Sequence, residues 1–353
     1  MKSKKLGGLA AMGARRHPRE WTGLSHLWGG EGMLLLGEVH TGLLQHSTSL
    51  SSSQSERLLA FMRGERVRRF ERPIGHVVSP ELLTGVDCRL PTASGARVRA
   101  VGTVRYRTSL TGGHVLQGSS VVAVTRGRSG VRQPWSHYLA RPGRVEVLGK
   151  ADLADVAQGF VAVRPSGALL NLGAISQRVM DEVQALPQLD RSPPLRIGRT
   201  RMRWVAITDQ DPPTGTNIPR GEVTYVVESG RLRTLRLRCG SHQAGAVAEL
   251  CEDLALHDWL LSALLEVIER SQIGASSRAE VVERLRPAVE HLLHLWMPAA
   301  RLAPTVTEFW SSLERRPGFT RQWQTTVDRI RDQLALSTIA LLGVGAESGR
   351  VRQ

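Results

Sequence analysis

The spacing of apolar and polar positions changes once along this chain. Up to about residue 240 the dominant period is two. Residues 33–40 form an apolar-rich opening strand. Residues 97–107 alternate: Val98, Ala100, Val104 and Tyr106 share one face, and Arg97, Arg99, Thr103, Arg105 and Arg107 share the other. That pattern predicts a half-buried strand whose outer face is a row of arginines. Thr111-Gly112-Gly113 supplies a hairpin turn into a second strand over 114–125. A further hairpin is written at 223–227 and 231–239 around Glu228-Ser229-Gly230, with residues 204–207 beside it. Short helices are expected over 54–62, 151–158 and 176–186, and loops at Pro193-Pro194 and Pro212-Pro213.

From Ser241 the period becomes helical. Val247, Leu250, Leu254, Leu261, Leu264, Leu265 and Ile268 make one long stripe. Ser277-x-x-Glu280 is a capping box for a second helix, interrupted by Pro287 before Trp296. Thr305-x-x-Glu308 caps a third, and Trp323, Val327, Ile330, Leu334 and Leu341 stripe a fourth. The predicted fold is α+β: a basic, antiparallel β-rich body over 33–240, a helical bundle over 241–345 and a flexible tail over 346–353.

Composition changes this picture little. At 353 residues with 41% apolar side chains, the chain is long enough for a sizeable core and two domains. No stretch approaches eighteen consecutive apolar residues, so no membrane span is expected. The N-terminus, with Lys2, Lys4 and Lys5, mimics a signal peptide, but its apolar run is broken by glycines and followed by Arg15 and Arg16, which argues against secretion. Gly29-Gly30-Glu31-Gly32 ahead of Met33 back-translates to a purine-rich stretch of the ribosome-binding kind. Met33 is therefore the expected start and residues 1–32 a translated leader, with a flexible basic tail as the alternative. Cys88, Cys239 and Cys251 are odd in number and unpaired in spacing, which fits a reducing cytoplasm.

Charge changes more. The net charge of +15 is unevenly spread. Residues 1–32 carry six basic and two acidic side chains, residues 33–242 carry 29 and 16, and residues 243–353 carry 12 and 14. The basicity belongs to the β-rich body and suits nucleic acid, an anionic surface or an acidic protein. Only four of the 47 basic residues are Lys, an Arg bias of the kind GC-rich codons produce.

Familiar chemistries are mostly excluded. Gly143 to Ala151 has five residues between its glycines and an Ala where a phosphate loop needs Ser or Thr, and its Val/Leu alternation reads as a strand. The Gly343, Gly345, Gly349 spacing does not suit a dinucleotide turn. No cofactor is expected. Asp253 and His257 share a helix face with Asp258 following, a weak metal candidate set against a structural reading. Cys88 has no sequence-visible base and no nucleophile elbow exists, so the chain leans away from enzymes. Two candidate binding surfaces remain. One is the arginine row Arg97, Arg99, Arg105 and Arg107, which has Arg66, Arg68, Arg69 and Arg72 upstream. The other is the segment 134–143, where Trp135, His137, Tyr138 and Arg141 cluster between prolines. The nearest aromatic to the arginine row, Tyr106, falls on the opposite face, which weakens RNA recognition relative to docking an acidic partner.

Four phrases carry a resemblance: 33–47 (Met33-Leu-Leu-Leu-Gly-Glu-Val-His), 78–92 (Val78-Ser-Pro-Glu-Leu-Leu-Thr-Gly-Val-Asp-Cys-Arg), the 134–143 loop, and 250–261 (Leu250-Cys-Glu-Asp-Leu-Ala-Leu-His-Asp-Trp). Together they resemble an actinobacterial, Streptomyces-type family with no assigned activity. Its genes sit in a cluster with a variant P-loop protein and a methyltransferase-like protein. The resemblance implies a cytoplasmic component working beside an NTPase-like protein and carries no catalytic residue. The leading expectation is a non-enzymatic adaptor with protein partners. A nucleic-acid module using the arginine row is the alternative, and an enzyme near His137 or the Asp253/His257/Asp258 group is the third.

Overall fold

The structure, a computed structural model, describes residues 33–61, 65–127, 130–209, 222–272 and 276–350, with side chains to residue 336. The expected leader or tail at 1–32, the Pro212-Pro213 loop and the last three residues lie outside the described residues. In chain order the elements are β1 (Met33–Leu43), α1 (Ser52–Leu58), β2 (Arg68–Phe70), β3 (His76–Val78), β4 (Leu82–Leu90), β5 (Val98–Thr111) and β6 (Val115–Arg126). Next come α2 (Trp135–Leu139), β7 (Arg144–Leu148), α3 (Leu153–Ala162), α4 (Leu172–Gln184), β8 (Thr200–Asp209), β9 (Val223–Val227) and β10 (Leu232–Gly240). The helices α5 (Ala244–Ser271), α6 (Arg278–His291), α7 (Thr307–Arg315) and α8 (Phe319–Arg350) close the chain.

All ten strands join one sheet in the order β2-β3-β5-β7-β6-β1-β8-β10-β9, with β4 on the outer edge of β5. The fold is α+β as expected. The sheet is mixed rather than antiparallel, however, because β6 runs parallel to β7 and β8 parallel to β10. Each parallel pair is separated by a crossover, through α2 in the first case and through β9 in the second, so a tight hairpin is not available to either. β5 is the branch point. Its inner edge pairs β6 over Arg105–Thr111 and β7 over Arg99–Gly102, so β7 fills the fork where β5 and β6 diverge. Gly102 stands at that fork, where a Cβ would lie 2.0 Å from the Arg144 carbonyl oxygen.

β1 explains its own composition. It is buried along its whole length because helices cover both faces of the sheet. On one face Leu35, Val39, Val121, Met202, Trp204 and Leu235 pack under Leu250, Leu254, Leu261 and Leu264 of α5. On the other, Leu34, Leu36, Val122, Val145 and Val205 pack under Val156 and Phe160 of α3 and Leu172 of α4. Glu38 and Arg203 form a buried ion pair on that second face at 3.1 Å, and Arg203 also donates to the Phe160 and Val163 carbonyls at the end of α3.

Strand gives way to helix where the spacing says, between Gly240 and Ala244. The helices nonetheless share one apolar core with the sheet, because the α5 stripe lies on β1, β8 and β10. The capping box at Ser277 and Glu280 forms. The one expected at Thr305 and Glu308 does not: Thr305 lies in a short 3-10 turn, α7 begins at Thr307, and the Glu308 carboxylate accepts from Gln243 at 2.7 Å. α8 continues to Arg350, so the described part of the expected tail from residue 346 is helical.

Candidate docking surface

The segment 134–143, expected as a loop, contains the one-and-a-half-turn helix α2, opened by Pro134. Tyr138 anchors it: the ring is buried, and its hydroxyl accepts the Gln133 backbone N–H at 2.9 Å. Trp135 then lies over Gly85 of β4, where a Cβ would stand 3.0 Å from the indole ring. The Arg132 guanidinium sits over the indole, 5.3 Å from its centroid, in cation–π position. Asp87, two residues from Gly85 on the same face of β4, accepts from Arg99 at 3.2 and 3.1 Å and from Arg132 at 3.2 Å. The Arg99 hydrogen bonds hold its carboxyl below the usual carboxylate range. Behind α2, His137 and Arg141 converge on Glu146 of β7 at 2.9 and 2.8 Å.

Of the ten large apolar side chains exposed among the described residues, four gather here: Leu83 (45%), Val131 (69%), Trp135 (39%) and Leu139 (58%). β4 is also an edge. Its inner side pairs β5 from Leu82 to Leu90. On the outer side Arg89 donates to the Ala168 carbonyl at 2.9 Å and accepts from Leu170 N–H at 2.8 Å. Hydrogen-bonding directions in a strand alternate, so Asp87, Gly85 and Leu83 aim their N–H and C=O groups the same way as Arg89. No backbone partner meets those three among the described residues.

The arginine row divides. Arg97, Arg99, Arg105 and Arg107 do share a face, but not an open one. Arg97 and Arg99 are exposed, whereas Arg105 is 6% and Arg107 3% accessible. The 140–143 loop lies over Arg105, which donates to the Pro142 carbonyl at 3.3 and 3.0 Å and faces Glu81 at 3.6 Å. Gly143, at φ +75°, permits that approach; a Cβ there would stand 2.4 Å from Arg105 Nε. Arg107 lies under α5 in a bidentate pair with Glu252 at 2.9 and 2.6 Å. Burial opposes its charge, and the Glu252 carboxylate together with Glu249 and Glu81 more than compensates, raising the guanidinium pKa. A continuous basic face built on those four residues is therefore absent, because β-alternation selects a face and cannot say what covers it.

The metal candidates are engaged elsewhere. Within the buried His257, Nδ1 donates to the Asp253 carbonyl at 2.7 Å and Nε2 accepts Met297 N–H at 3.3 Å, an assignment of tautomer that uses both nitrogens. Burial lowers its pKa, so the ring is neutral. The Asp253 carboxylate accepts Ala299 N–H at 2.9 Å, and Asp258 accepts from Tyr225 at 2.5 Å and Arg233 at 2.9 Å. Among the described residues no group of three or more His, Cys, Asp or Glu is placed to hold a metal ion. The Cys88 thiol is pushed up to about 12 by burial, with the Asp87 charge adding to it, so it stays protonated and weakly nucleophilic at neutral pH.

Trp135, Tyr138, His137, Arg141, Arg99 and Arg105 thus meet in one neighbourhood. Asp87, Arg132, Glu146 and the whole of β4 were missed. The signal for β4 was present: Val86, Cys88 and Leu90 point to the core while Leu83, Gly85, Asp87 and Arg89 alternate outward. Comparison of the chain with family models, with curated proteins and with solved structures finds no match. No helix among the described residues is long and apolar enough to cross a membrane.

Proposed function

We propose that this chain is a non-enzymatic adaptor that docks a protein partner through the α2–β4 surface, within a multi-component cytoplasmic system. The carrying observation is the gathering of Leu83, Val131, Trp135 and Leu139 with Arg99 and Arg132 around one strand edge. Exposed apolar patches of this kind mark interaction sites, and Trp and Arg are the side chains that concentrate binding energy there. The exposed guanidiniums of Arg89, Arg97, Arg99 and Arg132 outnumber the carboxylates of Asp87 and of Glu81 at the start of β4, so the fitting partner is acidic as well as apolar. The actinobacterial resemblance makes an NTPase-like protein of the same gene cluster the first partner to test. A nucleic acid fits less well: Leu83, Val131 and Leu139 offer a base nothing to stack on, and Asp87 already engages two guanidiniums.

The test is co-purification on the tagged full chain from an actinobacterial host, after nuclease treatment. A defined protein should be retained at near-stoichiometric amount, lost with Trp135→Ala/Leu139→Ser and kept with Leu265→Ser, an exposed position on α5. Retention by the double variant, or loss of every partner on nuclease treatment, overturns the proposal.

A further inference from the structure

We infer that the partner enters as an extended segment, adding a strand to the outer edge of β4, and that this segment carries acidic side chains two residues from an apolar one. The inference rests on the docking surface proposed above and specifies its mode. Leu83, Gly85 and Asp87 present three successive outward pairs of N–H and C=O groups over roughly 13 Å of strand. The chain itself begins the addition: residues 168–170 run parallel to β4 and meet it at Arg89, closing the edge at that end and leaving the rest. Strand addition uses main-chain bonds for affinity and alternate side chains for selectivity.

The selectivity can be read from one face. Leu83, Gly85, Asp87 and Arg89 share it, with Trp135 standing over Gly85 and Arg99 and Arg132 meeting at Asp87. A guest residue beside Gly85 therefore meets the indole and Leu83, and its i ± 2 neighbour meets two guanidiniums that share one counter-ion. An acid–x–apolar pattern satisfies both. A second copy of the chain docking through β4 brings its own Arg89, Arg99 and Arg132 to the same edge and is repelled. The chain's own residues 1–32, with six basic and two acidic side chains, also have the wrong sign. The charged Asp87 and Arg89 on an exposed edge guard against indiscriminate pairing, which makes recognition by complementary charge the way in.

The probe is a fluorescein-labelled Thr-Glu-Thr-Leu-Thr-Glu-Thr peptide, symmetric so that either strand direction fits, titrated with the full chain by fluorescence anisotropy. Two further forms carry N-methyl groups on alternate sets of amides, a fourth replaces Glu with Lys, and a labelled oligouridylate serves as the nucleic-acid arm. The acidic peptide should bind, one N-methylated form should lose binding tenfold or more while the other keeps it, and the Lys form should not bind. Leu83→Pro, which removes one outward N–H, should weaken binding at least tenfold, against two- to threefold for Leu83→Ala. Equal binding of both N-methylated forms, or equal effects of Leu83→Pro and Leu83→Ala, overturns strand addition and leaves side-chain docking in place. No binding of the acidic peptide also overturns strand addition. Tighter binding of the oligouridylate overturns both the inference and the adaptor proposal.

Discussion

Acid should loosen the seam between the C-terminal helices and the sheet, and His114 is the group that reports it. His114 lies in the turn between β5 and β6, and its Nε2 stands 3.1 Å from Nδ1 of His291 at the end of α6, with the rings edge to face. A hydrogen bond between two imidazoles requires at least one neutral ring. His294 and His46 stand near, and His46 faces Asp190 at 3.4 Å. Burial first, then the neighbouring histidines, push the His114 pKa down from 6.5 to about 4. A lowered histidine pKa stabilises the fold above the unfolded value and loses that contribution as pH falls toward the folded one. Relative to an unfolded pKa of 6.5, a folded value of about 4 removes about 2 kcal/mol at pH 5 and about 3 kcal/mol at pH 4. Urea unfolding followed by tryptophan fluorescence at pH 7.5 and 5.0, for the native chain and His114→Gln, reads this histidine cluster, because titrations remote from it cancel in the difference. The native chain should lose about 2 kcal/mol more than the variant, a midpoint difference of about 0.7 M at an m-value of about 3 kcal/mol/M. Equal pH dependence in the two proteins, within about 0.5 kcal/mol, refutes the assignment.

Two further substitutions test the sheet and its cover. Arg107→Met leaves Glu252 charged and buried, so urea midpoints should report a loss of about 3–5 kcal/mol, and Arg107→Met/Glu252→Leu should recover at least about half of it. A double variant no more stable than the single one refutes the pairing. Gly102→Ala drives a methyl into the Arg144 carbonyl and should destabilise by about 3 kcal/mol, with faster proteolysis near β7; unchanged stability and cleavage would remove the fork from β5.

The periodic parts of the fold were legible because burial on a known face writes itself as alternation. β1, β5, β6 and the β9–β10 hairpin stand where the spacing puts them, and so does the α5 stripe. The α2 helix was not legible: at five residues it is too short for a helical period to show, and Trp135, Ser136, His137 and Tyr138 are weak helix formers. The fork at Gly102 and the cover over Arg105 depend on contacts 42 and 37 residues away in sequence, which local pattern cannot carry. Half of the candidate site was legible for the same reason. Trp135 and Arg99 stood out by type, whereas their meeting at Asp87 through Arg132 is a tertiary fact.

The basicity of residues 33–242 suits an external acidic partner, yet much of it is answered inside the chain. Arg107 meets Glu252 and Arg233 meets Asp258, both acids of α5, while Arg203 meets Glu38. Each pair is buried, so each guanidinium is removed from the field that an approaching partner feels. A net charge summed along sequence therefore overstates the basic surface, and the excess must be located strand by strand. It survives where no acidic element is packed against the sheet, at β4 and the start of β5. There Arg99 and Arg132 share the Asp87 carboxylate, and Arg89 and Arg97 stand exposed beside them. The same end of the sheet carries the open outer edge of β4 and the exposed Trp135. Charge, edge and apolar surface have independent origins in the sequence, and their coincidence at one place is what singles it out for a partner.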